Sequence, residues 1–311
     1  MEYAVGIVNC RTYADLEACL ASIKCQSQRP RAVLVVDVDS QPAERDRLAR
    51  MFPEVAWLQV ANRGYAAGAN RALHWTERHA PAAECVLLLN PDVKLEQGFA
   101  ECILEHMAAD PAVLLASGKL VRPEGVLDSA GIVLPRHRRP RDRGSEQRDR
   151  GQYDRVEYVF GVSGAALMLR VSAVGELALS GELFDEDFFL YHEDTDLAWR
   201  ANRLGWRALY VPKARAIHTR RWRRELRFEV PAALRRHSFK NHYLQLVKNE
   251  NLRDGLINLP VTILWELTRL CFVIGRDREL LPAYGQALRL LPRAYAKRRE
   301  LRQRLRDRGQ T

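Results

Sequence analysis

The strongest constraint on this chain lies in its first 110 residues. Short, unbroken apolar runs alternate there with segments of helical spacing. Residues 3–9 (YAVGIVN), 33–39 (VLVVDVD), 55–60 and 85–89 read as strands. Between them, residues 14–23, 43–51, 66–79 and 97–109 carry helical patterns, as in Leu16, Cys19, Leu20 and Ile23. Strands that are apolar on both faces belong to a parallel sheet covered by helices on both sides. Such sheets bind ligands at the carboxyl ends of their strands. Asn9, Asp37, Asp39, Asn62 and Asp92 fall at those ends.

Composition narrows the class. At 47% hydrophobic and 28% charged residues, the 311-residue chain is neither disordered nor fibrous. No run of about 18 apolar residues is free of charge, which argues against a spanning helix. MEYAVGIVNCRTY has no basic segment before its apolar run and reads as a strand, not a signal peptide. The six cysteines form no CxxC pair, and small core residues in a reducing compartment are expected. The net charge of +10 is uneven: residues 219–311 carry 22 Lys+Arg against 9 Asp+Glu, and residues 1–218 carry 27 against 30. A basic C-terminal third faces an anionic partner: a membrane surface, nucleic acid or a phosphorylated lipid.

Residues 116–218 change character. Strand-like pieces at 114–121 and 156–162 flank residues 136–150, RHRRPRDRGSEQRDR, which read as a mobile loop, either solvated or a lid over a phosphate-bearing ligand. Residues 197–204 form a short helix, with 208–211 and 214–218 extended. Beyond Thr219 the chain is helical, with one helix over 239–248. Another starts with Pro260 in its first turn and ends near Gly275.

Four segments carry chemistry. Asp37 ends the second strand, where an acid can meet a nucleotide base or ribose; a turn-forming role is the plain alternative. No GxGxxG follows the first strand. Asn62–Asn70 (NRGYAAGAN) offers Gly and Ala for close backbone approach and a helix N-terminus for an anion. Asn90-Pro91-Asp92 presents a carboxylate on a stiff turn, suited to a hard divalent cation holding a diphosphate. Residues 184–200 (FDEDFFLYHEDTDLAWR) pack acids among aromatic rings, which raises carboxyl pKa values and suits a general base. Asp194 would sit in the first turn of the following helix, with Asp196 helping to cap it. His218 closes a later strand.

Together these segments resemble family 2 glycosyltransferases of the GT-A fold, and within them the bacterial rhamnosyltransferase-like branch. The correspondence runs through Val8-Asn9-Cys10-Arg11, Val36-Asp37-Val38-Asp39-Ser40, Asn62–Asn70, Asn90-Pro91-Asp92, Ser163-Gly164-Ala165, Phe184–Arg200 and Val211–His218, in order over about residues 3–218. The resemblance implies an α/β GT-A domain, Rossmann-like and mostly parallel with helices on both faces, plus a C-terminal helical extension. Residues 1–115 would form its nucleotide-sugar half, 116–218 its acceptor and catalytic half, and 219–311 a basic helical region.

The roles implied are equally specific. Asp194 is the base, with Glu193 beside it. Asn9, Arg11, Asp37, Asn62, Gly64, Gly68, Asn70, Asn90, Asp92, Gly164 and Ala165 line the donor site. Asp92 and His218 hold Mg2+ or Mn2+. Cys10, Arg11, Val38 and Asp39 depart from the family pattern near the base and ribose, which leaves the donor open. The expected reaction is inverting transfer, of rhamnose from dTDP-rhamnose ahead of galactofuranosyl, glucosyl or mannosyl transfer. The acceptor would be a glycan, often on polyprenyl diphosphate, in surface polysaccharide synthesis. The stripe of Ile263, Leu264, Leu267 and Leu270 with Trp265 suits a peripheral helix at the inner face of the cell membrane. Packing on the catalytic domain or on a second copy in a homodimer is its alternative. A nucleotidyltransferase would need a phosphate loop that residues 9–15 lack. A nucleic-acid binder would leave the acidic aromatic segment without a role.

Overall fold

The fold was analysed in a computed structural model that describes residues 1–220 and 227–309. Strands and helices alternate as expected: β1 (Tyr3–Cys10), α1 (Tyr13–Lys24), β2 (Val33–Val38), α2 (Pro42–Met51), β3 (Val55–Val60), α3 (Tyr65–His79), β4 (Cys85–Leu89), β5 (Val93–Leu95) and α4 (Phe99–Ala109). Then come β6 (Val113–Val121), β7 (Leu127–Ser129), β8 (Ile132–Val133), β9 (Arg141–Asp142), β10 (Glu157–Val159), β11 (Ala166–Arg170), α5 (Val174–Leu177), α6 (Glu193–Arg203) and β12 (Arg207–His218). Three helices finish the chain: α7 (Ala232–Asn249), α8 (Leu252–Arg276) and α9 (Leu281–Asp307).

The main sheet runs β10-β12-β6-β11-β4-β1-β2-β3. Strands β4, β1, β2 and β3 are mutually parallel, and β6 is parallel to β12. Strand β11 enters antiparallel between β4 and β6, so one sheet carries both halves of the domain. β2, β4 and β6 are buried along their whole length, as unbroken apolar runs predict. Two apolar layers flank the sheet. One gathers Leu16, Phe99 and Ile103, the other Ala69, Leu73, Phe184 and Leu197.

Several expectations change. Residues 136–150 are folded, not mobile: β9 pairs with β8, Asp149 holds buried Lys119 at 2.9 Å, and Arg138 makes a bidentate pair with Glu250 at 2.6 and 2.8 Å. Asp196 does not cap α6. It is fully buried, bonded to Lys248, Arg200 and Asn249, and the helix starts earlier, at Glu193. Pro260 lies inside α8, not in its first turn, because Asn251 caps the helix nine residues earlier, accepting from Asp254 N–H. Among the cysteines only Cys19 and Cys85 are buried, and all six are unpaired.

The helix α8 is inside out. Asn258, Thr262, Glu266, Arg269 and Val273 face the protein, at spacings of three and four. Glu266 binds Tyr243 at 2.5 Å and Arg269 at 2.8 Å. Leu256, Ile263, Leu264, Leu267, Leu270 and Ile274 face outward, and Leu264 is 68% exposed. Apart from Trp265, whose ring stacks on His137 at 4.3 Å, the apolar stripe therefore does not pack on the catalytic domain. Mean hydropathy in an 18-residue window of α8 reaches 1.5, so by length and composition the helix could cross a membrane, although its charges interrupt the apolar run.

α7 and α9 are fastened to the 184–196 segment by buried charge. Asp185 lies between Lys248 at 2.5 Å and Lys297 at 2.6 Å, all three nearly inaccessible. Burial would raise the Asp185 carboxyl pKa, but the two ammonium groups overcome it and hold it well below the usual range. Removing one partner strands the others in a low-dielectric site. Asp185→Asn is expected to cost roughly 3–5 kcal/mol in urea unfolding. Because the native pKa is depressed, Asp185 stabilises the fold above about pH 4 and loses that effect as pH falls. A cost below about 1 kcal/mol would show that the ion pairs do not fasten the helices.

Candidate active site

The site is built where strand ends converge. β4 stops at Leu89, and the Asn90-Pro91-Asp92 turn leads into β5, which pairs with the end of β12. That register sets His218 opposite Val93, next to Asp92. His218 Nε2 lies 3.4 Å from Asp92 Oδ1. On the ring's other side, Nδ1 donates to Asp128 Oδ2 at 2.7 Å. Asp128 arrives on β7, which pairs with β6, the neighbour of β12. It is fully buried and also meets Arg122 at 3.1 Å and Arg220 at 3.4 Å. Burial opposes charge on both partners, yet their pairing lowers Asp128 to about 2 and raises His218 to about 9.

Asp194 sits 30 residues from Gly164 in sequence and beside it in space. Its Oδ2 accepts from Gly164 N–H at 2.9 Å and its Oδ1 from Thr195 N–H at 2.7 Å. Gly164 precedes β11, and Ala165 C=O accepts from Asn90 N–H at 2.8 Å, so one backbone link joins the Asp194 and Asp92 turns. A Cβ on Gly164 would press on Asp194 Cβ at 3.3 Å. Burial raises the Asp194 carboxyl to about 6 against the Gly164 hydrogen bond. Glu193 is raised further, by burial and by the charge of Asp194, and its buried Oε2 has no hydrogen-bond partner. Burial pushes both carboxyls up and their charges repel, so the pair titrates as one unit and resists carrying two charges.

The loop before α6 is strained and held. Phe189, Tyr191 and His192 have φ of 65°, 73° and 71°. Asn241 on α7, wholly buried, donates to the carbonyls of Phe188, Leu190 and Tyr191 at 2.9, 2.9 and 2.7 Å. Lys240 donates to Asp187 C=O at 2.6 Å.

At the ends of β1, β2 and β3, several sequence candidates prove to be internal. Asn9 and Asp37 are fully buried. Asn9 Nδ2 donates to Asp37 at 2.8 Å, Asn9 Oδ1 accepts from Thr12, and Tyr13 O–H donates to Asp37 at 2.9 Å. The carboxylate accessible at this strand end is half-buried Asp39 instead, at 3.3 Å from Asn62 Nδ2, with Arg11 Nε on its carbonyl at 3.2 Å. Asn70 spends both ends of its amide on Phe184, at 2.8 and 2.9 Å. A Cβ on Gly68 would meet Val8 at 2.6 Å, so this glycine serves the packing of α3 on β1. At Gly64, φ 87° and ψ 172° suit glycine alone, and a Cβ would collide with Phe189 C=O.

Thus Asn90, Asp92, Gly164, Ala165, Asp194 and His218 are joined by contacts at the end of β4, with Glu193 beside Asp194. Arg11 and Asn62 meet Asp39 at the ends of β1–β3, while Asn9, Asp37, Gly64, Gly68 and Asn70 are taken up by internal packing. Asp128, Tyr13 and Asn241 were not singled out in the sequence. Asp128 sits in an ordinary strand with no motif of its own. The donor set at Asp92 and His218 is one carboxylate and one imidazole, the latter oriented by Asp128. That arrangement fits a divalent cation whose other ligands come from a diphosphate and water, provided the cation displaces the Nε2 proton that the raised pKa leaves on His218. No group of three or more His, Cys, Asp or Glu is arranged to hold a metal among the described residues. Gly64→Ala is expected to lower stability by at least about 1–3 kcal/mol through backbone strain, since Phe189 must also move; thermal unfolding measures it, and an unchanged midpoint contradicts this packing.

No protein-family model matches the chain. N-acetylglucosaminyl-diphospho-decaprenol L-rhamnosyltransferase of Mycobacterium tuberculosis is 30% identical over 223 residues, covering 65% of this chain and 71% of the relative. Among solved structures, GalNAc-T7 with UDP, GalNAc and Mn2+ superposes with TM-score 0.60 at 11% identity, over 80% of this chain and 48% of that one. Mannosyltransferase PcManGT from Pyrobaculum calidifontis, with GDP-Man and Mn2+, gives 0.55 at 18%, over 94% and 75%. TarS of S. aureus gives 0.60 at 14%, over 94% and 49%. The chain thus spans about half the length of GalNAc-T7 and of TarS. The structural neighbours carry the fold and the mycobacterial relative carries the family: the chain belongs to the rhamnosyltransferase-like branch of the family 2 glycosyltransferases, on a GT-A fold.

Proposed function

We propose that this glycosyltransferase moves rhamnose from dTDP-rhamnose, with inversion, onto a glycan carried by polyprenyl diphosphate, in the synthesis of a cell-surface polysaccharide. The mycobacterial relative, named for rhamnosyl transfer to a decaprenyl-linked acceptor, supports this choice over galactofuranosyl, glucosyl or mannosyl transfer. The observation that carries the mechanism is Asp194: a carboxylate held by Gly164 N–H, raised by burial, and tied through Ala165 to the Asp92 turn.

In this reading Asp194 accepts the proton of the acceptor hydroxyl. The freed oxygen attacks the anomeric carbon from the face opposite the diphosphate, and the bond from that carbon to the diphosphate oxygen breaks. Burial and mutual repulsion keep the Glu193–Asp194 pair from carrying two charges at once. Asp92 and His218 would hold Mg2+ or Mn2+, which would neutralise charge on the departing nucleoside diphosphate. Asp128 fixes the ring of His218 so that Nε2 points to Asp92. Arg11, Asn62 and Asp39 border the nucleotide, and Asn90, Gly164 and Ala165 border the sugar. Residues 1–115 carry the donor side, 116–218 the acceptor side, and 219–311 the support behind the base.

The reading extends to the membrane. In the middle of α8 the charged residues Glu266 and Arg269 are turned inward and consumed by protein contacts, with exposed Arg253 and Arg276 confined to the helix ends. The outward leucines and isoleucines between them therefore meet a bilayer without taking charge into it. Fully burying one such side chain contributes about 1.5–3 kcal/mol, and six or more lie on this face. The chain is then a peripheral protein of the inner leaflet, close to its lipid-linked acceptor.

A panel of dTDP-rhamnose, UDP-hexoses, UDP-galactofuranose and GDP-mannose with a polyprenyl-diphosphate-linked acceptor tests the assignment. Turnover of dTDP-rhamnose is expected to exceed the others, and failure to use any donor overturns the reading. Asp194→Asn is expected to lower kcat by roughly 10²–10⁴-fold with donor affinity retained. Activity of the wild type should fall as pH drops through about 6, where Asp194 takes up its proton. Asp128→Asn should weaken Mn2+-dependent binding of dTDP roughly 10–100-fold in calorimetry while leaving metal-free binding unchanged. Equal metal dependence in variant and wild type would remove His218 from the metal site.

A further inference from the structure

The far end of α6 opens onto a groove that the transfer reaction does not use. Arg203, at that end, is nine residues from Asp194, or about 13 Å along the helix. Two adjoining clefts of about 320 and 520 Å³ lie between α7, α8 and α9 and share Asn251, Leu252, Arg298 and Arg302. The first is dominated by arginines: Arg203, Arg298, Arg302 and Arg306. The second is mainly apolar, walled by Leu246, Val247, Leu252, Leu256 and Leu259.

The arginine end is short of counter-charge. None of those four residues has a carboxylate at ion-pair distance among the described residues. Glu250 and Asp254 are nearby but engage Arg138, at 2.6 and 3.4 Å. Carbonyls orient two of the guanidinium groups: Asn249 C=O accepts from Arg203 at 3.1 Å, and Val247 C=O accepts from Arg298. Partial burial, then the like charge of neighbouring arginines, lowers the pKa of both Arg203 and Arg298. An anion with several oxygens relieves that repulsion and matches the planar guanidinium forks.

The apolar end fixes what kind of anion. Leu252, Leu256 and Leu259 are exposed residues of α8, so the groove runs into the face turned toward the bilayer. A free phosphate would leave this wall uncovered, and the second cleft offers only Tyr295 as a stacking ring for a nucleic acid. We propose that the groove binds an anionic bilayer phospholipid, its phosphate among Arg203, Arg298, Arg302 and Arg306 and one acyl chain along Leu246–Leu259. The site rests on the membrane reading of α8 and adds to it a specific headgroup contact.

The test uses the full chain. Calorimetry with dihexanoylphosphatidylglycerol, below its micelle concentration, is expected to show one bound lipid, with inorganic phosphate at least about tenfold weaker. Arg302→Gln with Arg306→Gln should weaken the lipid roughly tenfold or more. Arg29→Gln with Arg50→Gln, an equal charge loss at exposed positions far along the chain, should change it less than about twofold. Equal losses in the two pairs, phosphate binding as tight as lipid, or no lipid binding each overturn the site. Cosedimentation with phosphatidylglycerol-containing vesicles separates the two readings. If Leu264→Ser with Leu267→Ser abolishes vesicle binding while the short-chain lipid still binds, both stand. If wild type binds vesicles but not the short-chain lipid, only the groove fails. If wild type does not bind vesicles, the membrane reading fails.

Discussion

The arrangement depends on one buried carboxylate. Asp185 sits between Lys248 of α7 and Lys297 of α9, and each ammonium would be costly there without it. Around it the contacts spread without a gap. Lys248 continues to Asp196, Asn249 to the same carboxylate, and Gln245 to Thr195. Each of those residues lies on the α6 turn that presents Asp194, or next to it. The basic helices are therefore part of the scaffold of the Asp194 turn, not an appendage tethered to a finished domain.

That scaffold is needed because the segment before α6 is unfavourable on its own. Three non-glycine residues in the left-handed region within four positions store strain that local sequence does not relieve. Asn241 answers with one amide shared among three carbonyls, and Gly64 admits Phe189 C=O where any side chain would collide. The Asp194 turn is thus fixed from two directions. α7 holds the loop on one side, and the start of α3 meets Phe189 C=O on the other. The two elements share this loop, so a shift in one is felt by the other.

The sequence motifs mixed two kinds of residue that only packing separates. In NRGYAAGAN, Asn62 stays at the surface near Asp39, whereas Gly64, Gly68 and Asn70 fasten α3 to Phe189, β1 and Phe184. Asp37 looked ligand-facing because it ends a strand. It is sealed because Tyr13 and Asn9 close over it. The residues 136–150 looked mobile because they are nearly devoid of apolar side chains. They are ordered by specific ion pairs, Lys119 with Asp149 and Arg138 with Glu250, whose partners are distant in sequence.

The local pattern alone determined the strand–helix alternation, the parallel core and the strand-end positions of the polar residues. Apolar periodicity and turn chemistry act between near neighbours and are legible in one dimension. The same holds for the choice of Asp92, Asp194 and His218, whose residue types and order carry the family pattern. The tertiary structure decided which carboxylates are exposed, that Asp128 orients His218, and that the apolar stripe of α8 faces outward. Those outcomes depend on the register of β5, β7 and β12 and on buried charge pairs spanning 60 to over 100 residues. No periodicity encodes such pairs, because each exists only where desolvation has already been compensated by the rest of the fold.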